Sequence, residues 1–187
     1  MVKKNACVFI SGTGSNLKNL LKRARDYSFP IKIKLVICNN KKALGLQIAK
    51  KNSIRLHLVD TKSRNFEKKI LKILRENNIS IICLAGYMKI LSKSFLKEFG
   101  KKVINIHPSL LPKFKGLNTF ERILKNREVM TGCTVHAVTE NLDAGKIILR
   151  KSFYIKPKDN EISLKRKTQN LEYNVFPEAI IKIYRNI

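Results

Sequence analysis

The chain has 187 residues, 44% of them hydrophobic, which suits one compact domain over residues 1–187 better than two. Its 39 lysines and arginines against 13 acidic residues give a formal net charge of +26, which excludes an acidic disordered chain and raises the question of a polyanionic partner. Uncharged apolar runs are much shorter than the roughly 20 residues of a membrane helix, and Ala6–Ile10 is too short for a signal-peptide core. We therefore expect a soluble, cytoplasmic protein that makes no membrane contact.

Strand-like apolar runs alternate with helical periodicity through the first hundred residues. The predicted strands are Asn5–Ile10, Ile31–Ile37, Ile54–Val59, Ile79–Ala85 and Val103–His107. The predicted helices between them are centred on Leu17–Ala24, Ala43–Ala49, Phe66–Leu74 and Ser92–Phe99. Because the strands hardly alternate in polarity, they fit a mostly parallel sheet covered on both faces. The predicted fold class is α/β, a single doubly wound domain.

The alternation of strand-like and helical segments ends at Pro108. A loop rich in proline, lysine and glycine leads into a short predicted helix at Thr119–Asn126, followed by strand-like stretches at Cys133–Val138 and Lys146–Ile155. A closing helix is predicted over Thr168–Ile187, in which Pro177 should produce a kink or mark a fresh helix start.

The cysteine and histidine spacings do not favour a metal or disulfide framework. The four cysteines lie dozens of residues apart, each within or at the end of an apolar run: Cys7, Cys38, Cys83 and Cys133. We interpret them as small buried hydrophobes. The three histidines lack metal-ligand spacing. His57 is interpreted as an ordinary strand residue, and the role of His136 is left open.

The segment Ser11–Asn16 follows the first predicted strand and opens the first helix. Exposed backbone amides and the helix dipole attract an anion at such a point, so the segment predicts a phosphate site. A dinucleotide-binding fold would have a third glycine where Leu17 stands and an acid near Cys38-Asn39-Asn40, so a dehydrogenase is disfavoured. The alternative is a tight turn in which Ser15 or Asn16 merely caps the helix.

A second candidate site lies at the end of the fifth predicted strand. Because Pro108 keeps the preceding residue extended, His107 should lie at the carboxyl end of the strand, where open α/β sheets bind ligands. Strand alternation places Asn105 on the same face as His107. Asp143 lies in a predicted turn and, taken alone, is an ordinary turn aspartate.

Five segments together resemble the phosphoribosylglycinamide formyltransferase family. They are Ser11–Asn16, Leu84–Leu91, Asn105–Pro112, Gly132–His136 and Leu142–Gly145. The resemblance implies a Rossmann-like formyltransferase fold and transfer of a formyl group from 10-formyltetrahydrofolate to the amine of phosphoribosylglycinamide in purine biosynthesis. It implies direct transfer through a tetrahedral intermediate, with no metal.

The resemblance also implies which residues bind the two substrates. On the acceptor side it places the phosphate at Gly14, Ser15 and Asn16, and the glycinamide or ribose portion at Glu172. On the folate side it implies a pocket with Arg64 near the acidic tail, Asn105 at the formyl group, and a lining of Met88, Lys89, Ile90 and Leu91. Lys89 stands where the family usually has arginine, and lysine cannot make a bidentate contact. The amino-terminal part of the domain would thus bind phosphate, and the carboxyl-terminal part would carry the folate and catalytic loops.

For catalysis, the resemblance implies that His107 acts in its protonated form, with Asn105 and Asp143 beside it. A nearby Asp143 carboxylate should favour the imidazolium and raise the pKa of His107. Asn105 and His107 would donate hydrogen bonds to the oxyanion of the tetrahedral intermediate.

Besides the nucleotide-binding or dehydrogenase module disfavoured by Leu17 and the absent acid, two alternatives remain at this stage. A related formyltransferase could act on an aminoacyl-tRNA or a sugar nucleotide, which the chain length and the Gly116-Leu117-Asn118 loop disfavour. A nucleic-acid-binding protein is suggested only by the charge, and the lysines are scattered along the chain instead of being clustered with aromatic residues in one element. We therefore expect no specific nucleic-acid partner.

Overall fold

The computed structural model describes residues 2–185. Within these residues, seven strands form one sheet in the order β3-β2-β1-β4-β5-β6-β7, with six helices, which confirms the predicted α/β class. The strands are β1 Lys4–Ile10, β2 Ile31–Cys38, β3 Arg55–Leu58, β4 Ile81–Leu84, β5 Lys102–His107, β6 Met130–Ala137 and β7 Ile147–Tyr154. The helices are α1 Ser15–Ala24, α2 Gly45–Lys51, α3 Phe66–Glu76, α4 Lys93–Phe99, α5 Thr119–Lys125 and α6 Glu161–Arg185.

The chain divides into two compact units, Met1–Ile104 and Asn105–Ile187. The folate-pocket candidates Arg64 and Met88–Leu91 fall in the first unit, and not in the carboxyl-terminal part of the chain that was expected to carry the folate loops. The expectation that residues 1–187 act as a single domain stays a prediction.

The first unit is built on parallel strand pairs. Strand β1 pairs in parallel with β2 and β4, and β2 pairs in parallel with β3. The last five residues of β1 and all of β4 are buried, as expected for strands with helices on both faces. Helix α1 buries Leu17, Leu20 and Leu21, which recur at the three- and four-residue spacing of one helix face.

The second unit carries the antiparallel pair β6 and β7 and the long helix α6. The predicted start of that helix at Thr168 is wrong, because it begins at Glu161. Asn160 and Ser163 exchange backbone-to-side-chain hydrogen bonds of 3.0 Å, a capping box that starts the helix in a polar segment without apolar periodicity. Among residues 2–185, no helix is both long enough and apolar enough to cross a bilayer.

Pro177 does not mark a fresh helix start, since α6 continues through it. Phe176, Pro177 and Ile180 are buried, so tertiary packing supports the helix across a residue that removes one backbone donor. The predicted residues Asn186 and Ile187 lie outside the described part of the chain.

All four cysteines are buried, as predicted for small hydrophobic residues. Burial raises the pKa of the Cys83 thiol to about 12, which keeps it protonated and unreactive near neutral pH.

The start of α1 packs closely on the start of α2. Gly14 precedes α1 with a φ of 73°, in the left-handed region, and a Cβ at this position would lie 2.6 Å from the Cα of Gly45. The Gly45 amide donates to the Gly12 carbonyl at 3.1 Å, which fixes the approach. A side chain at position 14 is therefore opposed both by the backbone conformation and by contact with α2.

We expect Gly14→Ala to lower the free energy of unfolding by about 2 kcal/mol or more, since it adds left-handed strain to a backbone clash. Gly12→Ala is the matched control, because a Cβ there meets nothing within 4 Å. It should change stability by no more than about 0.5 kcal/mol. Urea unfolding of the three proteins measures both effects, and equal stability of the two variants would contradict the packing described here.

Candidate active site

Three polar side chains of the second unit surround the Asp143 carboxylate. His107 Nδ1 lies 3.2 Å from Asp143 Oδ2, and His136 Nε2 lies 3.5 Å from Asp143 Oδ1. The Asn105 amide donates to Asp143 Oδ1 at 3.4 Å. The side chains of His107, His136 and Asp143 are all at most 8% exposed. We call Asn105, His107, His136 and Asp143 the Asp143 cluster.

The strand ends bring these residues together. Asn105 and His107 are two residues apart in β5, and both contact the same carboxylate, which is the arrangement expected from strand alternation. His136 comes from β6, the neighbouring strand in the sheet order.

The turn that carries Asp143 is held tightly against β6. Asp143 has a φ of 46°, a left-handed conformation that is unusual for a residue other than glycine and that clusters at functional sites. A Cβ at Gly145 would lie 1.8 Å from the Ala137 carbonyl oxygen, so only glycine allows this approach. The Ala137 amide also donates to the Lys146 carbonyl at 2.9 Å. The turn is thereby docked beside His136.

The loop after β5 folds back onto the Asp143 cluster. The Phe114 carbonyl lies 2.8 Å from His107 Nε2, and the Gly116 amide donates to Asp143 Oδ2 at 2.9 Å. Arg122 of α5 fixes this part of the loop, because its guanidinium donates to the Lys115 carbonyl at 2.7 Å and lies 5.6 Å from the Phe114 ring centroid. Both nitrogens of the His107 ring therefore face hydrogen-bond acceptors.

Thr134 supports the beginning of the same loop. Its buried hydroxyl donates to the Ser109 carbonyl at 2.7 Å and accepts from the Leu111 amide at 3.1 Å. The sequence alone left Thr134 and Arg122 without a role and the role of His136 open. It offered two signals for Thr134 and His136, namely polar residues within strand β6 and a place in the Gly132–His136 motif.

The Asp143 carboxylate is held in its charged form. Burial pushes its pKa upward, but hydrogen bonding from His136 and the Gly116 amide, together with the charges of His107 and His136, outweigh burial and hold the pKa at about 2. The cluster therefore contains a fixed negative charge at any pH near neutrality.

The predicted effect of Asp143, which raises the His107 pKa, is confirmed, but the net pKa of His107 is lowered. Burial is the largest influence and lowers the pKa below its usual value of 6.5, and the charges of His136 and Arg122 act in the same direction. The Phe114 carbonyl and the Asp143 carboxylate do raise the pKa, as expected of Asp143, but they do not offset the loss of water. The net pKa of His107 therefore lies below its usual value, while the acceptors at its two ring nitrogens stabilise the protonated form.

His136 bridges Asn105 to the backbone. Its Nδ1 lies 2.8 Å from the Ala137 carbonyl, an arrangement in which that nitrogen carries the proton. The other nitrogen, Nε2, lies between two partners, 3.2 Å from the Asn105 amide nitrogen and 3.5 Å from Asp143 Oδ1. The Asn105 amide nitrogen thus lies within reach of both His136 and Asp143.

The predicted phosphate residues lie at the start of α1 in the first unit. Ser15 and Asn16 are the first two residues of the helix, and Gly14 precedes them. The first turn, Ser15-Asn16-Leu17-Lys18, contains no acidic residue to offset the positive end of the helix dipole.

The predicted folate residues also lie in the first unit. Met88, Lys89 and Ile90 are exposed in the connection between β4 and α4, whereas Leu91 is buried. Arg64 is exposed in the turn before α3.

Glu172 is buried in α6 of the second unit. It lies close enough to β6 for its charge, together with burial, to raise the pKa of the Cys133 thiol.

We expect the lowered His107 pKa to make stability depend on pH. His107 binds a proton more readily in the unfolded chain than in the folded chain. The folded state therefore loses stability as the pH falls below about 6.5, the usual pKa of histidine. Glutamine does not titrate, so the free energy of unfolding should fall less in His107→Gln than in the wild type between pH 7 and pH 5. The difference is limited to about 1.4 kcal/mol per pH unit. Parallel urea titrations test this, and identical slopes would contradict it.

Comparison with known proteins identifies the family. The model of the formyl transferase family matches residues 4–180. A phosphoribosylglycinamide formyltransferase from Haemophilus influenzae is 39% identical over 181 residues, which cover 95% of this chain and 85% of that protein.

The human trifunctional purine biosynthetic protein adenosine-3 is 40% identical over 182 residues, but the chain spans only 18% of its length. The crystal structure of phosphoribosylglycinamide formyltransferase from Anaplasma phagocytophilum matches with a TM-score of 0.93 and 37% identity, covering 99% of this chain and 88% of that one. The resemblance inferred from the five motifs is confirmed, and the chain belongs to the formyl transferase family.

Proposed function

We propose that the protein transfers the formyl group of 10-formyltetrahydrofolate to the primary amine of phosphoribosylglycinamide, as a step of purine biosynthesis in the cytoplasm. The observation that carries this proposal is the Asp143 cluster, in which a buried carboxylate holds a histidine and an amide at a strand end. The names of the similar proteins favour this acceptor over an aminoacyl-tRNA or a sugar nucleotide.

The reaction is balanced without a metal or an oxidant. A bond forms between the acceptor nitrogen and the formyl carbon, and the bond between that carbon and the folate nitrogen breaks. One proton must leave the attacking amine and one must reach the departing folate nitrogen. His107 is proposed to carry such a proton, because Asp143 at 3.2 Å stabilises the imidazolium.

Asn105 is proposed to stabilise the negative charge that develops on the formyl oxygen. Its hydrogen bonds to His136 at 3.2 Å and Asp143 at 3.4 Å are long, so an oxyanion can compete for one of these amide hydrogens. His136 acts here as a positioning residue that keeps the Asn105 amide turned towards the cluster.

The acceptor phosphate is proposed to bind the backbone amides of Gly14, Ser15 and Asn16 at the start of α1, with Glu172 contacting the glycinamide or ribose portion. The dipole of a ten-residue helix whose first turn lacks an acid supports an anion there.

The folate is proposed to bind Met88, Lys89, Ile90 and Leu91, with Arg64 near its acidic tail. Met88 and Ile90 are 67% and 65% exposed, which makes their apolar side chains available to a flat ring system. Both substrates are small anions, and the charge of +26 should attract them at long range without a specific nucleic-acid or membrane partner.

We expect purified protein to form the formylated product from the two substrates. His107→Ala and Asp143→Asn should each lower turnover by about 100-fold or more, because they remove the proton carrier or the charge that stabilises it. Asparagine tolerates the left-handed backbone at position 143, so that variant should fold.

Asp159→Asn is the matched control for Asp143→Asn. The carboxyl group of Asp159 also has a pKa of about 2, chiefly because Lys167 hydrogen-bonds to it, but it lies at the start of α6. Turnover by this variant should equal that of the wild type. Wild-type turnover in His107→Ala would remove that residue from the mechanism, and the absence of product from folded wild-type protein would refute the proposed function.

We expect Ser15→Asp to weaken binding of phosphoribosylglycinamide by about tenfold or more without lowering stability. A carboxylate in the first turn of α1 interacts favourably with the helix dipole but repels a phosphate. Ser15→Asn serves as the uncharged control. Titration with phosphoribosylglycinamide and with tetrahydrofolate measures both affinities, and equal losses in the two variants would exclude a charge effect.

A further inference from the structure

The connection between β4 and α4 is held at both ends by side chains from distant parts of the first unit. The Met88 amide donates to the Ser11 hydroxyl at 2.8 Å, and the Ser92 amide donates to Glu67 Oε1 at 2.8 Å. These two contacts bracket the residues 88–91 proposed to bind folate. We call residues 87–92 the donor segment.

Ser11 anchors the first end of the donor segment from the end of β1. Its amide donates to the Gly86 carbonyl at 3.1 Å, and its hydroxyl donates to Asn39 at 2.6 Å while accepting from Met88. The hydroxyl is thereby oriented by Asn39, which leaves its lone pair directed at the segment.

Glu67 anchors the other end from the first turn of α3. One carboxylate oxygen accepts from the Ser92 amide, and the other accepts from the Ser92 hydroxyl. The same hydroxyl accepts from the Phe95 amide at 3.0 Å and so caps α4. Glu67 therefore joins the start of α3 to the start of α4, and it lies three residues after Arg64.

The anchors fix which side chains of the donor segment face solvent. Tyr87 and Leu91 are buried, at 9% and 3% exposure, whereas Met88 and Ile90 are mostly exposed. Glu67 also lies near Tyr87, since burial and the Glu67 charge both raise the pKa of that phenol. The backbone is thus held with two apolar side chains outward before any ligand arrives.

We propose that Glu67 is a positioning residue for the formyl donor, with Ser11 as its counterpart at the other end of the donor segment. A segment already ordered in its binding conformation loses less conformational freedom when a ligand binds, so the anchors should act on donor affinity. This inference rests on the proposed function, because it takes residues 88–91 to be the folate contact.

The test is a graded series at position 67. Glu67→Ala removes both acceptors and should raise the KM for 10-formyltetrahydrofolate by about tenfold, the loss expected when hydrogen bonds to a charged group disappear. Glu67→Gln retains one acceptor for the Ser92 amide and should show a smaller increase. In both variants kcat and the KM for phosphoribosylglycinamide should stay within about twofold of the wild type.

Glu76→Gln is the matched control, because Glu76 lies at the far end of α3 and its side chain is 57% exposed beside Lys72. It should leave both KM values unchanged. Amide hydrogen exchange at Met88 and Ser92 reports the donor segment directly and should accelerate in Glu67→Ala but not in Glu76→Gln. If Glu67→Ala does not fold, Glu67→Gln carries the same comparison.

Direct titration with tetrahydrofolate separates this inference from the proposed function. Active wild-type enzyme with unchanged donor KM in both Glu67 variants would overturn the inference alone. A fall in kcat without a change in donor KM, or equal losses for both substrates, would also overturn it. If folded wild-type protein formed no product, the proposed function would fail, and weaker tetrahydrofolate binding by Glu67→Ala would still support the positioning role.

Discussion

The Asp143 cluster is organised around one buried negative charge, that of the Asp143 carboxylate. A carboxylate that is 8% exposed would be costly without partners, and Asp143 obtains them from two histidines, one side-chain amide and one backbone amide. Supplying those partners requires a left-handed residue, a glycine pressed against a strand, and a loop that returns to the end of β5. These three backbone features therefore all serve to pair the Asp143 carboxylate.

The same charge determines how His107 can work. Burial favours the neutral ring, while the carboxylate and the Phe114 carbonyl favour the charged one. A histidine balanced in this way can exist in either protonation state at modest free-energy cost, which suits a group that passes a proton. The family resemblance, and not the turn itself, implied that Asp143 lies beside His107, as the 3.2 Å contact confirms. The sequence held no measure of how much water the fold removes, so the net direction of the His107 pKa was missed.

Most of the fold was predictable because parallel buried strands leave a strong signal. Strands β1 and β2 and the apolar face of α1 came directly from periodicity. The start of α6 did not, since it depends on a capping box between Asn160 and Ser163 in a polar segment. The roles of His136 and Glu67 could not be predicted from the sequence either, because each residue contacts a partner more than twenty residues away along the chain.

The loop after β5 and the donor segment are both irregular stretches of backbone that side chains from other elements stabilise. Irregular backbone lacks the hydrogen bonds of a helix or sheet, and its amides and carbonyls need other partners. In the second unit, Thr134 and Arg122 satisfy backbone groups of the loop after β5. In the first unit, Ser11 and Glu67 do this for the donor segment. Because these contacts fix loops and not the sheet core, their loss should affect ligand geometry before it affects the fold.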